Sequence, residues 1–127
     1  MPSSAPNDEM SDYKNLEVWK KSRALTADIY RVTEQFPRSE MFGITSQMRR
    51  AAMSIVLNVA EGNGRWTGRD QGSFMVTARA SAYEVEAILY LAQDVKLISP
   101  EISEQLRNRT NEIGRMLSGL LRFLRKK

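Results

Sequence analysis

The chain has 127 residues, 42% of them hydrophobic, and a formal net charge of +4. This length and composition predict one globular domain with a buried core and exclude an intrinsically disordered chain. Because the sequence contains no Cys and no His, it excludes a disulfide framework, thiolate zinc sites and catalysis by Ser–His or Cys–His pairs. Carboxylates, Lys and Tyr remain, but no arrangement of them indicates a reaction. We therefore expect a non-enzymatic protein without a metal or a cofactor.

The N-terminal residues 1–12 are rich in Ser, Pro and acidic residues, and they are predicted to form a disordered tail. They lack the basic and apolar regions of a secretory signal. No apolar run in the sequence approaches the roughly 20 residues that span a bilayer. We expect a cytoplasmic protein that does not contact a membrane.

Pro37, a Gly-rich stretch at 62–72 and the Ser99-Pro100 pair divide the remaining chain into four segments with helical periodicity. The four helices are predicted at about 15–36, 44–61, 70–97 and 100–125. Ser99 or the neighbouring turn is expected to cap the last helix, with Pro100 at its first position. The first two helices each have one apolar stripe. The stripe of the first helix contains Val18, Leu25, Ile29, Val32 and Phe36, with Ser22 in the gap. The stripe of the second helix contains Ile44, Met48, Ala51, Ile55 and Val59.

The third predicted helix is apolar on two faces. The face expected in the core contains Phe74, Ala78, Ser81, Val85, Ile88, Leu89 and Ala92. The opposite face, called here the second apolar face, contains Val76, Ala80, Tyr83, Ala87, Tyr90 and Leu91. Because one side of each helix meets water in a four-helix monomer, this second face predicts an interface between subunits. The alternative is that its long aromatic side chains only lie on the surface.

Positive charge is concentrated in the last predicted helix. Residues 105–127 contain seven Lys or Arg and one Glu, a net +6, which leaves −2 for the rest of a chain whose total is +4. The residues expected in the core are Ile102, Leu106, Ile113, Leu117, Leu120 and Leu124. Five bases fall on the other side and form the basic ridge: Arg107, Arg115, Arg122, Arg125 and Lys126. This ridge is either a solvated face that suits the helix dipole or a strip that binds phosphates.

The stretch NVAEGNGRW, residues 58–66, has the glycines of a phosphate-binding loop but not their spacing. We predict instead that Gly62-Asn63-Gly64 forms a flexible helix stop in which positive φ is easily reached. Arg65, Trp66 and Arg69 then form a second candidate patch, because aromatic and arginine side chains stack on bases and neutralise phosphates. The alternative is that Trp66 caps the end of the core or a neighbouring subunit.

Three segments of the sequence carry a resemblance to a known family. YKNLEVW at 13–19, FPRSEMFGITSQMRRAAMSIVLNVAEGNGR at 36–65 and FMVTARASAYEVEAIL at 74–89 are similar to the bacterial proteins encoded in intervening sequences of 23S ribosomal RNA genes. The similarity extends over about residues 13–124, and the middle segment is its most specific part. One departure is Ala80-Ser81 before Glu84, where members usually carry Gly-Ser, which puts a close approach at this point in doubt.

The resemblance implies an all-α fold, an antiparallel up-down-up-down four-helix bundle that assembles as a ring, a homopentamer. It also implies relatedness to the accessory variability protein of diversity-generating retroelements, a basic ring that binds a reverse transcriptase and nucleic acid. The family name does not establish a ribosomal role, because many members lie outside ribosomal genes.

Polar residues of the family motif predict a contact between the second and third helices. They are Arg50, Ser54, Asn58 and Glu61 on one helix, and Ser81 and Glu84 on the other. Our hypothesis is a partly buried network that fixes the register of the two helices and pairs Arg50 with Glu84. The functional alternative is a catalytic Asn/Glu pair.

Together these features predict a non-enzymatic oligomeric adaptor that binds the backbone of RNA or DNA through basic surfaces. One alternative is a protein–protein scaffold without a nucleic-acid role, such as an accessory subunit of a larger enzyme, for example a reverse transcriptase. An unrecognised enzyme is the third reading.

Overall fold

The computed structural model describes residues 12–126 of the chain. It contains four α-helices: α1 (Glu17–Thr33), α2 (Ile44–Asn63), α3 (Gly68–Asp94) and α4 (Pro100–Arg125). Short 3₁₀ turns occupy Asp12–Asn15 and Arg38–Glu40, and no strand occurs within these residues. The predicted all-α fold with four helices is thus confirmed. The predicted disordered tail at 1–12 lies outside the described residues except for Asp12, which begins the first turn.

Local sequence signals explain where the two longest helices begin. The hydroxyl of Thr67 accepts a hydrogen bond from the backbone N–H of Asp70 (3.1 Å) at the start of α3. Ser99 does the same for Ile102 (3.2 Å) at the start of α4, and Pro100 occupies the first helical position. These side chains satisfy backbone donors that have no partner within a helix. The predicted Ser99 cap is confirmed.

The end of α3 is a backbone reversal at Lys96, whose φ is +66°. The N–H of Leu97 reaches back to the carbonyl of Ala92 (2.9 Å), and the N–H of Lys96 to that of Gln93 (3.0 Å). This is the hydrogen-bond pattern of a Schellman motif, with Lys at the left-handed position that Gly usually occupies. The helix therefore stops at Asp94 and not at the predicted residue 97.

The buried core lies between the facing stripes of the four helices, where α1 contacts α2 and α4, and α3 contacts the same two helices. Its largest fully buried side chains include Leu25, Ile29, Met48, Ile55, Met75, Leu89, Ile113 and Leu117. Most of the predicted core positions are buried as expected. The second apolar face of α3 is not part of this core.

Five predicted core positions are not fully buried. Met75, Thr33 and Leu121 are buried where Phe74, Val32 and Leu120 were expected, Ile44 is half-buried, and Ile102 is 41% exposed. The reason is clearest at Thr33. Its hydroxyl donates to the carbonyl of Ile29 (2.7 Å) and accepts from Nε of Arg49 (2.8 Å), so burial satisfies its polar atom.

The glycines that follow α2 do not adopt the expected backbone. The helix continues through Asn63, Gly64 has φ of −84°, and no glycine among residues 12–126 has a positive φ. Gly62 is instead a point of close packing, because a Cβ there would lie 2.7 Å from Cβ of Phe74. The prediction of a positive-φ stop was therefore wrong, and the glycine serves the contact between α2 and α3.

Within the described chain, no helix has the length and apolar character needed to cross a membrane.

Candidate functional site

The basic ridge is exposed along α4, on the side away from its buried stripe. Leu106, Thr110, Ile113, Leu117, Leu121 and Leu124 form that stripe. Arg115, Arg122, Arg125 and Lys126 are exposed, and Arg107 is half-buried. The amphipathic pattern of α4 explains this arrangement, because its polar residues fall outside the arc that contacts α1 and α3.

A groove between α3 and α4 lies beside the ridge. It encloses a cavity of about 440 Å³ whose lining residues are Ala82, Tyr83, Thr110, Asn111, Gly114, Arg115, Ser118 and Arg122. A Cβ added to Gly114 would meet nothing within 4 Å, so this glycine leaves the groove open. Arg79 of α3 donates from Nη1 to Oγ of Ser118 (3.3 Å) across the two helices.

Arg107 joins the ridge to the second apolar face of α3. Its Nη1 donates to the hydroxyl of Tyr90 (2.9 Å), and its guanidinium lies 4.1 Å from the centre of the Tyr90 ring. It also donates to Oγ of Ser103 (3.1 Å) and to Oε1 of Gln93 (3.4 Å). The predicted nucleic-acid strip and the predicted subunit interface therefore share one side of the molecule.

The second apolar face of α3 is open to solvent in the single chain. Exposure is 44% for Val76, 63% for Tyr83, 48% for Tyr90 and 54% for Leu91. Ala80 and Ala87, at the intervening positions, are exposed as well. All six predicted residues thus form a continuous apolar surface next to the groove, which is the kind of surface that contacts a partner.

Two cations outside the ridge form ion pairs between α1 and α4, whereas no cation of the ridge forms one in the described chain. Arg109 of α4 pairs with Asp28 of α1 (2.7 Å), and Lys21 of α1 pairs with Glu112 of α4 (3.6 Å). No ridge residue forms an ion pair with any residue in 12–126. Helical spacing places one carboxylate, Glu86, beside the groove, four residues before Tyr90. Positive charge therefore predominates on the side that α3 and α4 present.

The second predicted patch lies at the corner between α2 and α3. Trp66 is 89% exposed, so it does not cap the core of its own chain. Arg65 is turned back onto the protein, where it pairs with Glu61 (2.9 Å) and lies 4.7 Å from the Phe74 ring centre. Arg69 lies in the first turn of α3 and, together with Arg125 of α4, lines a cavity of about 390 Å³.

Three of the six residues of the predicted polar network are joined. The hydroxyl of Ser81 donates to Oγ of Ser54 (2.8 Å), which links α3 to α2. Nδ2 of Asn58 donates to the carbonyl and to Oγ of Ser54, at 2.8 and 3.1 Å. This cluster is partly buried, as expected.

The other three residues of that prediction lie outside the cluster. Arg50 and Glu84 are both exposed and form no ion pair in the described chain, and Glu61 pairs with Arg65 instead. The predicted Arg50–Glu84 pair was wrong. Because both residues are exposed, water can solvate each charge without the other, and an ion pair between them would gain little. Only a small neutral cluster crosses the helices, which gives no support to a catalytic Asn/Glu pair.

The sequence patterns did not single out Arg79, which bonds to Ser118 beside the groove, or Asn111 and Ser118, which line it. The signal for Arg79 was its position four residues before Tyr83, which places both side chains on one face of a helix. The other two lie within the arc between the buried stripe of α4 and its arginines. Their place in a groove depends on which side of α4 packs against α3.

Comparisons with known proteins assign the chain to a family. A solved structure from Bacteroides thetaiotaomicron, described as a protein of unknown function from the S23 ribosomal protein family, matches with a TM-score of 0.74 and 24% identity. The match covers 82% of this chain and 97% of that chain, and at this identity it shows the fold alone. No curated protein matches. The family model described as 23S rRNA-intervening sequence protein matches residues 14–119. Because that model covers most of the sequence, the chain belongs to the 23S rRNA-intervening sequence protein family, as the resemblance predicted.

Proposed function

We propose that this protein is a non-enzymatic oligomeric adaptor that binds the backbone of RNA or DNA through its basic ridge. The observation that carries the proposal is the absence of ion pairs between the ridge and other residues in 12–126, in contrast to the pairs that connect α1 with α4. Arginines without neighbouring carboxylates keep a positive potential, and phosphates are attracted to such a surface.

In this mechanism the ridge binds the phosphates of a nucleic acid, and the groove binds the sugars or bases attached to them. Arg115 and Arg122 line the groove, and the planar guanidinium group donates two parallel hydrogen bonds to a phosphate. Backbone contacts position a nucleic acid without reading its bases, so we expect weak sequence preference.

We also propose an antiparallel up-down-up-down bundle that assembles as a homopentameric ring. Two contacts support antiparallel α2 and α3. Gly62 near the end of α2 approaches Phe74 near the beginning of α3, whereas Ser54 meets Ser81 farther along. The second apolar face of α3 is the proposed subunit contact, because assembly removes its exposed apolar area from water.

The proposed subunit contact and the ridge lie on the same side of the molecule, but the ridge residues differ in their angle around α4. At about 100° per residue, Arg107 and Arg125 lie about 80° from the middle of the buried stripe of α4, whereas Arg115, Arg122 and Lys126 lie about 140–180° from it. Arg107, bound to Tyr90, and Arg125, which lines a cavity with Val76, therefore border the contact, whereas Arg115, Arg122 and Lys126 remain open to a ligand. A ring repeats the ridge and increases the potential at each copy.

A binding titration across salt concentrations tests the nucleic-acid proposal. Fluorescence anisotropy with 20-nucleotide RNA and DNA, single-stranded and duplex, is measured between 50 and 200 mM salt. We expect log K to fall with log salt by about 0.9 per phosphate contact for duplex DNA and about 0.7 for a single strand. The triple substitution R115E, R122E and R125E is expected to weaken binding by about tenfold or more at 100 mM salt and to reduce the slope.

The matched control is a second triple reversal with the same change in net charge, K20E, R31E and R38E. These exposed cations lie on α1 and on the turn that follows it, away from the ridge. We expect this variant to bind within about threefold of the wild type, because general charge acts weakly beyond a Debye length. Equal losses in both triple variants would contradict a specific role of the ridge.

A second candidate function is a protein-binding scaffold, which the exposed Val76, Tyr83, Tyr90 and Leu91 favour. In that case the apolar face contacts a partner protein, such as the larger enzyme that an accessory subunit serves, and the ridge meets its acidic rim. Failure of every nucleic acid to bind at 50 mM salt would leave this candidate in place.

A further inference from the structure

Trp66 is exposed on a corner whose backbone is fixed. Tryptophan is usually buried over most of its surface, yet 89% of this side chain is exposed. The residues on both sides of it are held in place. The carbonyl of Arg65 accepts from Nε2 of Gln71 (2.8 Å), and Thr67 accepts from the N–H of Asp70 through its hydroxyl and from that of Gln71 through its carbonyl. The indole is therefore presented outward by a rigid support.

Positive charge accompanies this indole. Arg69 follows Trp66 by three residues, in the first turn of α3, and lines a cavity of about 390 Å³ with Arg125 from the end of α4. The same cavity is walled by Gly68, Gly72, Val76, Leu121 and Leu124. Neither arginine forms an ion pair with a residue in 12–126. An open aromatic ring with two available guanidinium groups combines a stacking surface with phosphate donors.

A second exposed aromatic residue, Phe42, differs from Trp66 in the charged residues around it. Phe42 is 95% exposed and precedes α2, whereas Trp66 follows the other end of that helix. The turn before Phe42 contains one arginine, Arg38, and a carboxylate, Glu40. Exposure alone therefore does not distinguish Trp66, but exposure together with Arg69 and Arg125 does.

We propose that Trp66 stacks on an unpaired base, while Arg69 and Arg125 hold the adjacent phosphates. This inference rests on the proposed function and deepens it, because it names single-stranded nucleic acid as the substrate class. A base inside a duplex has both faces covered by its neighbours, so away from the duplex ends only an unpaired base can lie against the indole. The ridge then continues the backbone contact along α4, where Arg122 and Arg115 follow Arg125 toward the beginning of the helix.

The test compares W66A and W66F with the wild type on a single-stranded 12-nucleotide RNA and on a blunt duplex of the same sequence. We expect W66A to weaken single-strand binding by about 5- to 150-fold, the range that corresponds to losing one stacked base. W66F retains a smaller ring and is expected to lose less. Duplex binding is expected to change by less than about twofold, and F42A serves as the control for loss of an exposed aromatic ring.

A spectroscopic measurement addresses the contact directly. The chain has two tryptophans, and Trp19 is half-buried on α1. We expect the fluorescence of the wild type to be quenched by the single strand, and this quenching to be absent in W66F.

The outcomes separate the two proposals. If the ridge reversal removes binding while W66A binds as the wild type does and no quenching occurs, the stacking inference is overturned and the proposed function stands. If W66A weakens single strand and duplex equally, or changes the mass of the assembly in solution, stacking is overturned in favour of a general or a subunit contact. Failure of the wild type to bind any nucleic acid at 50 mM salt overturns both.

Discussion

Gly62 allows α2 and α3 to approach each other near the corner that joins them. A Cβ at this position would lie 2.7 Å from Cβ of Phe74 and 3.0 Å from Cε of Met75. The methionine can move, but the Cβ of Phe74 moves only with its helix. We therefore expect G62A to lower the free energy of unfolding by about 1–3 kcal/mol, the usual cost of overpacking. Urea denaturation followed by circular dichroism measures it.

Gly114 gives the matched control for this substitution. It also lies inside a helix, but an added Cβ would meet nothing within 4 Å. Alanine is favoured over glycine in a helix interior by about 1 kcal/mol, so G114A is expected to raise the free energy of unfolding by about that amount. If both alanine variants were destabilised alike, close packing at Gly62 would not explain the loss.

The glycines at the end of α2 show how much of a residue's structural role can be predicted from the sequence. Gly62 and Gly64 predict that a helix ends nearby, and α2 does end at Asn63. Neither glycine reveals whether it is needed for a positive φ or for close approach. The second property depends on Phe74, which comes from another helix, and no pattern within α2 contains it.

At the scale of helices, Ser81 joins α3 to α2 through one hydrogen bond to Ser54. We expect S81A to lower the free energy of unfolding by about 0.5–1.5 kcal/mol, the net contribution of a typical buried hydrogen bond. T77A on the same helix is the control, because Thr77 is exposed and its hydroxyl bonds only to the carbonyl of Ser73. We expect a change within about 0.5 kcal/mol for that variant.

A double-mutant cycle with S54A decides whether the bond across the helices is responsible. The coupling energy of the Ser54–Ser81 pair is expected to account for most of the loss in S81A. Additive effects of the two alanines would show that the hydroxyls act independently and would refute the cross-helix role of the cluster.

Helix faces were largely predictable, but the choice between adjacent apolar residues was not. Leu120 and Leu121 are equally hydrophobic, and Leu121 is the buried one because it lies four residues after Leu117 on the inner stripe. Ile102 lies in the first turn of α4, where it lines a cavity with Val32 and Phe36 and is 41% exposed. Hydrophobicity and period define a stripe, whereas helix length and crossing define where the stripe is covered.

At the scale of the whole molecule, the sequence predicted the ridge and the second apolar face, but it did not predict that they lie on the same side. Each feature follows from the residues of one helix. Their proximity depends on how α4 is rotated against α3, and Arg107 with Tyr90 is the contact that reveals it. The groove and Arg79 were missed for the same reason, since a groove belongs to two helices.

Assembly through the second apolar face can be tested by a substitution at Leu91. Leu91 is 54% exposed, and we expect L91K to place an unpaired charge in the proposed subunit contact. Light scattering after gel filtration is expected to give about 72 kDa for a pentamer of the 14.5 kDa wild-type chain and a single-chain mass for L91K. Lysine is chosen because it preserves the attraction for phosphate.

The control is L57K, which makes the same change at a leucine of α2 that is 58% exposed and outside the proposed contact. This variant is expected to keep the mass of the wild type. Because a ring presents several ridges to one nucleic acid, L91K is also expected to bind a long single strand more weakly than L57K while binding a 12-nucleotide strand equally well. An L91K protein that keeps the wild-type mass would place the subunit contact elsewhere, and a single-chain mass for the wild type would refute assembly itself.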